Sequence, residues 1–330
     1  MAPSATLYLA GLSTPASWLL VASALEVAAC WCLAVRQAAI VWRGVASFER
    51  RHRLLTLAFL FPVVASLSMV GLLVPRAMDV VDAFALLFFA KCLLSFVNLS
   101  LDYGGGRDAV VALIAKSASP SVRLTTPPLC CLCPAALLPP LRPTVAHLYA
   151  VELLVRQSAV VRPLVFLAAA VVRVDRSLDE WPIPPAAQPV LWLQLVTMVS
   201  TVTAMWGLMV FAANVAPHLS QYRVLAKIRL FQVTLLLLNL QSGIFRLLAA
   251  VDVIPATPQL SAAEHASAWH HQLLVAEMVL LSAAMSFIFS PSRNAAFGAP
   301  VVLFAVTTAT NGSAAASGKE NRLEDGGSVV

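Results

Sequence analysis

The chain has 330 residues, of which 60% are hydrophobic and only 12% charged, and it carries a formal net charge of +6. A soluble globular protein has about twice this charged fraction, and its core could not bury so much apolar surface. A cytosolic enzyme, a secreted disulfide-rich domain and a disordered chain are therefore excluded, and most of the chain must lie in lipid. The basic residues cluster in short loops between apolar runs, which favours membrane anchoring over nucleic-acid binding.

Seven apolar runs follow one another along the chain, and each is long enough to cross a hydrocarbon core about 30 Å thick as a helix. Helices are required because lipid offers backbone groups no hydrogen-bond partner, and no run alternates like a barrel strand. The sequence therefore predicts an all-α membrane protein, a bundle of seven transmembrane helices. The predicted spans cover about residues 18–41, 54–74, 80–101, 147–172, 190–213, 228–251 and 269–289.

The distribution of Lys and Arg between the loops predicts the orientation of the bundle. The loops after the first, third and fifth spans, with the adjoining helix start, hold eleven Lys and Arg residues, whereas the alternate loops hold three. The richer side is expected to be cytoplasmic. Residues 1–17 would then be extracellular and residues 290–330 a disordered cytoplasmic tail. Residues 1–17 contain no Lys or Arg, which favours a retained first helix over a signal peptide.

Three of the six cysteines, Cys130, Cys131 and Cys133, stand together in the long inner loop between prolines. A zinc site would need a fourth ligand, for which His147 is a candidate, and a compact fold around it. The apolar, juxtamembrane setting favours S-acylation instead. No cysteine lies in an outer loop, so the sequence offers no candidate extracellular disulfide.

Charged side chains inside the predicted spans each cost about 2.5–3.5 kcal/mol on insertion scales and need a physical reason. They are Glu26, Lys91, Glu152, Arg156, Arg162, Arg246 and Glu277. At about 100° per residue, polar side chains share one helix face in three spans. These faces hold Glu26, Cys30 and Gln37 in the first span, Lys91, Ser95, Asn98 and Asp102 in the third, and Gln232, Asn239, Gly243 and Arg246 in the sixth. We expect such faces to meet other helices or a hydrated cavity.

Two interpretations of these charges remain open. In the first they are structural: Glu152 and Arg156 neutralise each other as a buried ion pair, Lys91 pairs with Glu26 or Glu277, and Arg246 snorkels. In the second they line a polar path for an anionic, amphipathic solute. The candidate substrate-binding residues are then Lys91, Asn98, Arg156, Arg162, Asn239 and Arg246.

The motifs of soluble enzymes are missing from the sequence. The chain has no Walker A loop, no G-x-S-x-G, no H-E-x-x-H and no paired carboxylates on one helix, so we predict neither catalysis nor a cofactor. Gly104–Gly106 is interpreted as the C-terminal cap and turn of the third span. His270 and His271 lack partners at metal-ligand spacing.

Five stretches in order resemble the organic solute transporter alpha-subunit family, which includes the transmembrane protein 184 branch. They are Phe61–Ser68 (FPVVASLS), Leu101–Gly106 (LDYGGG), the cysteine block Pro128–Pro134 (PLCCLCP), Val155–Pro163 (VRQSAVVRP) and Lys227–Gln232 (KIRLFQ). The cysteine block is similar to that of the transporter branch and separates it from its sister. The spacing before Gln232 is shorter than in the family pattern.

The resemblance implies a facilitative, sodium-independent carrier for bile acids, conjugated steroids and related amphipathic anions. It also implies a single-span beta subunit as partner, palmitoylation of Cys130, Cys131 and Cys133, and a multi-pass location in the plasma membrane, basolateral in polarised cells, with some in the endoplasmic reticulum. Membrane lipid is a further partner, and association with a second copy stays open. The alternative is a seven-helix receptor or a trafficking regulator of the transmembrane protein 184 type.

Overall fold

The structure of the protein is a computed structural model that describes residues 5–116, 142–176 and 189–290, together with Val122, Leu124 and Thr126. Within this part of the chain, seven helical segments are long and apolar enough to cross a membrane. We number them spans 1 to 7, and they cover Thr14–Gly44, Phe48–Leu73, Pro75–Tyr103, Val145–Val172, Leu195–Tyr222, Val224–Ala250 and Ala262–Ile288. Each overlaps one predicted span, which confirms the all-α seven-helix fold class.

Four spans contain a break or a change of helix type, whereas spans 1 and 7 are single α-helices and span 4 lies within helix Val145–Arg176. Span 2 joins helices Phe48–Ala58 and Leu60–Leu73, and span 3 joins a 3₁₀ turn, Pro75–Ala77, to helix Met78–Tyr103. Span 5 joins helix Pro189–Val215 to the 3₁₀ helix Ala216–Tyr222, and span 6 joins helices Val224–Leu236 and Ser242–Ala250 through a π-helical turn, Leu237–Gln241. Two short helices, Ala5–Ala10 and Arg107–Ala115, lie outside the spans.

The end of span 3 is fixed by a glycine turn. The Gly106 amide donates to the Leu101 carbonyl at 2.9 Å and the Gly105 amide donates to the Asp102 carbonyl at 3.2 Å, the bond pattern of a Schellman motif. Gly105 has a φ of 83°, which costs a glycine little because it has no Cβ. This confirms the predicted cap. The turn leads directly into helix Arg107–Ala115, which sequence analysis did not predict.

The two ends of the bundle hold different contacts. At one end Tyr103, which closes span 3, stacks on Tyr222, which closes span 5, with ring centroids 4.3 Å apart. At the other end Gly71 of span 2 meets His271 near the start of span 7. Spans 1, 3, 5 and 7 begin at the same end of the bundle, and we call this end the N face. We call the opposite end the loop face. That the N face is extracellular and the loop face cytoplasmic remains a prediction.

Aromatic packing holds span 3 against span 6 inside the bundle. The Phe231 ring lies 5.9 Å from the Phe89 ring and 5.0 Å from the Phe96 ring, and all three side chains are buried. In lipid, such close packing and interhelical hydrogen bonds hold helices together, because the hydrophobic effect offers no drive between them. Span 3 also packs on spans 2 and 4, so its polar face can reach the side chains of both.

Several predictions concern residues outside the described part of the chain. Cys130, Cys131 and Cys133 lie there, as do residues 291–330. The three described cysteines, Cys30, Cys32 and Cys92, are free thiols. On span 1 the predicted polar face meets the bundle at Cys30 and Gln37, which are both buried.

Candidate site for an anionic solute

A fully buried carboxylate, Glu152 of span 4, organises the charges near the loop face. Arg107, the first residue of helix Arg107–Ala115, donates from Nε to Glu152 Oε1 at 2.6 Å and from Nη2 to Oε2 at 2.7 Å. Arg156, one turn along span 4, donates from Nη2 to Oε2 at 3.0 Å. The bidentate geometry makes the contact with Arg107 the stronger of the two. The same hydrogen bonds raise the pKa of Arg107 above its usual value.

The Glu152 carboxylate is shared by two guanidinium groups, and Asp108 adds a second negative charge beside Arg107. Glu152 has one negative charge, so it cannot by itself neutralise two guanidinium groups, although its Oε2 accepts a hydrogen bond from each of them. Arg156 keeps 32% of its side chain exposed. Its Nη2 also lies 3.3 Å from Oδ1 of Asn98 on span 3, and its Nε has no hydrogen-bond partner among the described residues. Arg156 is therefore a cation that shares its carboxylate partner and that a solute can reach.

Asn98 links this cluster to a line of polar groups along span 3. Its backbone carbonyl accepts from Arg53 Nη1 of span 2 at 3.4 Å. One turn closer to the loop face, Asp102 is bound by Arg50 at 2.9 Å. We call the partly exposed groups of this surface, Arg53, Lys91, Asn98 and Arg156, the basic strip.

Lys91 does not form the ion pair that sequence analysis offered as its structural role. Its side chain is exposed and makes no ion pair with a described residue, so pairing with Glu26 or Glu277 is wrong. Glu277 accepts from Gln241 at 3.0 Å instead. Lys91 is seven residues from Asn98, about 10 Å along the helix. The basic strip therefore extends from the loop face towards mid-bilayer.

The other predicted site residues lie apart from the basic strip. Arg162 is buried between spans 4 and 5, where Nη2 donates to Thr201 Oγ1 at 3.0 Å. Arg246 is at the N face, where Nη2 is 3.6 Å from Asp79 and 3.8 Å from Asp82. His271 Nε2 also lies 3.7 Å from Asp82.

The predicted polar face of span 6 is wrong because the helix does not keep a constant period. The π-helical turn changes the angular step per residue between Leu237 and Gln241. Gln232, before the turn, is buried and its Nε2 lies 2.8 Å from Met209 Sδ of span 5. Asn239, within the turn, donates to the Leu235 carbonyl, and Gly243, after it, is exposed.

Sequence analysis missed the roles of two basic residues, which it counted only as loop charges. Arg107 is one of them. The other, Lys227 of span 6, is fully buried, and its Nζ lies 4.2 Å from the Phe289 ring centroid and 5.3 Å from that of Tyr103. Its Nζ has no hydrogen-bond partner among the described residues. The family-like stretch Lys227–Gln232 was the one signal that singled this position out.

Replacing Lys227 by Met is expected to raise the thermal unfolding midpoint of the detergent-solubilised protein by a few degrees. Burial costs an ammonium group several kcal/mol of hydration free energy, whereas cation–π contacts with two rings contribute only about 2 kcal/mol. An apolar side chain of similar length should therefore be more stable at this position. Arg229→Met, an exposed position on the same helix, is the matched control and should change the midpoint little. A lower midpoint for Lys227→Met would contradict this account.

Seven helices that are long and apolar enough to cross a membrane define a multi-pass membrane protein. Residues 18–294 match the family model described as organic solute transporter Ostalpha. Because this match covers most of the chain, the protein belongs to the organic solute transporter alpha family, as the five motifs predict.

Relatives from several animals carry the same family name. The chain is 26% identical to organic solute transporter alpha-like protein 3 of Caenorhabditis elegans over 93% of its own length and 87% of the relative's. It is 30% identical to organic solute transporter subunit alpha of Leucoraja erinaceus over 66% of its length and 60% of the relative's. With the human subunit alpha it shares 27% identity over 67% of its length and 63% of that protein's. No solved structure matches the chain.

Proposed function

We propose that this protein is a facilitative transporter subunit for amphipathic organic anions, such as bile acids and conjugated steroids. The observation that carries the proposal is the buried Glu152 carboxylate, which two guanidinium groups share while that of Arg156 remains partly exposed. A charged side chain inside a membrane protein costs free energy, and its presence here indicates a role in binding solute.

The basic strip offers the donors that a sulfate or carboxylate head group requires. The Arg156 guanidinium can donate a charge-assisted hydrogen bond from its exposed part, although its Nε is buried. The Lys91 ammonium adds a point charge nearer to mid-bilayer. Asn98 holds Arg156 Nη2 in place from span 3. Among the candidate substrate-binding residues, we therefore assign Lys91, Asn98 and Arg156 to the anion site and leave Arg162, Asn239 and Arg246 outside it.

An apolar surface adjoins the strip on the same two spans. Val160, Leu164 and Leu167 recur at helical spacing after Arg156, and about three fifths of each side chain is exposed. Phe84 of span 3 is 52% exposed and its ring lies 6.4 Å from that of Phe166 on span 4. The apolar part of an amphipathic anion can pack on this surface while its head group contacts Arg156. Lipid can contact the same surface.

The family relationship also supports the accessory features of the proposal. We assign to the protein a single-span beta subunit as partner, a plasma-membrane location and palmitoylation of Cys130, Cys131 and Cys133. The relatives of known name are called subunits, which favours a partner chain. Acyl chains on the three cysteines would fix the long loop to the inner leaflet, at about 0.8 kcal/mol per buried methylene group.

The test is uptake of a labelled steroid sulfate in cells that express this chain with and without a single-span beta subunit. At equal surface expression, we expect net uptake with the beta subunit and uptake at the level of untransfected cells without it. Equal uptake without the partner would overturn the subunit assignment. Specific binding without net flux in either case would overturn transport and favour the receptor or trafficking class.

A further inference from the structure

A cavity of about 390 Å³ lies at the N face, at the other end of the bundle from Glu152. Its wall is built from the segment before span 1, the start of span 1, the end of span 2 and the start of span 7 with the loop before it. The volume is in the range of about 300–1,000 Å³ that small-molecule sites occupy. The transport site proposed above does not use this cavity.

Hydrogen bonds between distant segments hold the cavity walls together. Gln259, in the loop before span 7, donates from Nε2 to the carbonyl of Gly11. A Cβ at position 11 would collide with the end of the Gln259 side chain, so this hydrogen bond would have to shift if Gly11 were replaced. Gln272 of span 7 donates from Nε2 to Ser23 Oγ of span 1 at 2.6 Å. The cavity is therefore a built feature of the fold.

The lining of this cavity suits a neutral ligand. Among the described residues that form it there is no Asp, Glu, Lys or Arg, and most of its surface comes from side chains such as Leu19, Leu20, Leu72 and Leu260. Both ring nitrogens of His265 are engaged, since Nε2 accepts from Trp269 Nε1 at 3.0 Å and Nδ1 faces the Pro255 carbonyl at 3.0 Å. A buried anion would find no counter-charge here.

We propose that this cavity binds a neutral, sterol-sized amphipathic lipid with a hydroxyl group. The hydroxyl would donate to Gln272 Oε1, since Nε2 of the same side chain is already committed to Ser23. The apolar body lies against the leucines of spans 1 and 2. Trp269, which is 48% exposed at the rim, marks the depth at which amphipathic rings meet the head-group region.

The test is photolabelling of the full chain in nanodiscs with a diazirine derivative of cholesterol, followed by peptide mapping. We expect label on the peptides that form the cavity and a reduction of about tenfold with excess unlabelled cholesterol. Cholesterol sulfate should need about ten times the concentration to compete, because its charge would be buried without a partner. Equal competition by the sulfate or by phospholipid would overturn the proposal.

Variants that fill the cavity complete the experiment. Ala268→Phe on span 7 projects into the cavity, and Ala263→Phe on the same helix adds the same side chain at an exposed position. The first should lower cavity labelling about tenfold and the second should not. Leu20→Trp fills the cavity from span 1 and serves if Ala268→Phe does not fold. Equal labelling of the filled and control variants would overturn the proposal, whereas Arg156→Gln, which tests the transport site, should leave labelling unchanged.

Discussion

Replacing Glu152 by Gln is expected to destabilise the folded protein by about 3–5 kcal/mol, since it removes the buried carboxylate that accepts hydrogen bonds from both Arg107 and Arg156. Arg156 would then lose its carboxylate partner, and Arg107 would keep the nearby charge of the exposed Asp108 but lose its hydrogen-bonded carboxylate. The thermal unfolding midpoint in detergent should fall by at least about 6 °C, and the amount of monodisperse protein should fall with it. Fluorescence-detected size-exclusion chromatography after heating measures both.

The matched control for this variant is Glu49→Gln. Glu49 also accepts from an arginine, Arg53, at 3.0 Å, but its side chain is 79% exposed, and such a pair contributes about 0.3–0.5 kcal/mol. The thermal unfolding midpoint of the Glu49→Gln variant should stay close to that of the unmodified protein. Equal midpoints for the Glu152 and Glu49 variants would show that the buried cluster does not depend on its carboxylate.

Replacing Arg156 by Gln should have the opposite profile: nearly normal folding and a large loss of transport. Glu152 keeps its bidentate contact with Arg107, so no buried charge is left unpaired. The anionic head group, however, loses a charge-assisted hydrogen bond of about 1.5–3 kcal/mol, which corresponds to an uptake rate about ten- to hundredfold lower at substrate concentrations below KM. The measurement is the initial uptake of a steroid sulfate, normalised to surface expression.

Two further variants define what this result means. Arg36→Gln removes an exposed cation from span 1 and should leave uptake unchanged, which excludes a general effect of membrane charge. Arg156→Lys keeps the charge but not the planar fork and should recover part of the activity. If Arg156→Gln transports at the normal rate with normal surface expression, the basic strip does not bind the solute.

Much of the fold could be predicted from the sequence because hydropathy, charge and glycine act locally. A run such as 80–101 is too apolar and too long for any environment but lipid, so the helix Met78–Tyr103 was foreseeable. The glycines at 104–106 likewise predict a helix end, because a residue with a positive φ is needed there. Neither inference depends on a distant part of the chain.

The site could be predicted only in part, because its geometry depends on contacts between distant segments. Glu152 and Arg156 are four residues apart and face each other on any helix, but nothing local links Glu152 to Arg107, 45 residues earlier. The exposure of Lys91 depends on which helices pack around span 3. The π-helical turn in span 6 has no local signal, so a constant period misplaced Asn239 and Arg246.

The glycine turn after span 3 has a consequence for how this family can vary. Only three residues separate the end of span 3 from the start of helix Arg107–Ala115, and this short turn places Arg107 against Glu152. Adding or deleting one residue there would change the direction and rotation of the following helix and move the guanidinium group away from Glu152. We therefore expect homologues to conserve the length of this turn more strictly than the identity of its flanking residues, with insertions confined to later parts of the loop.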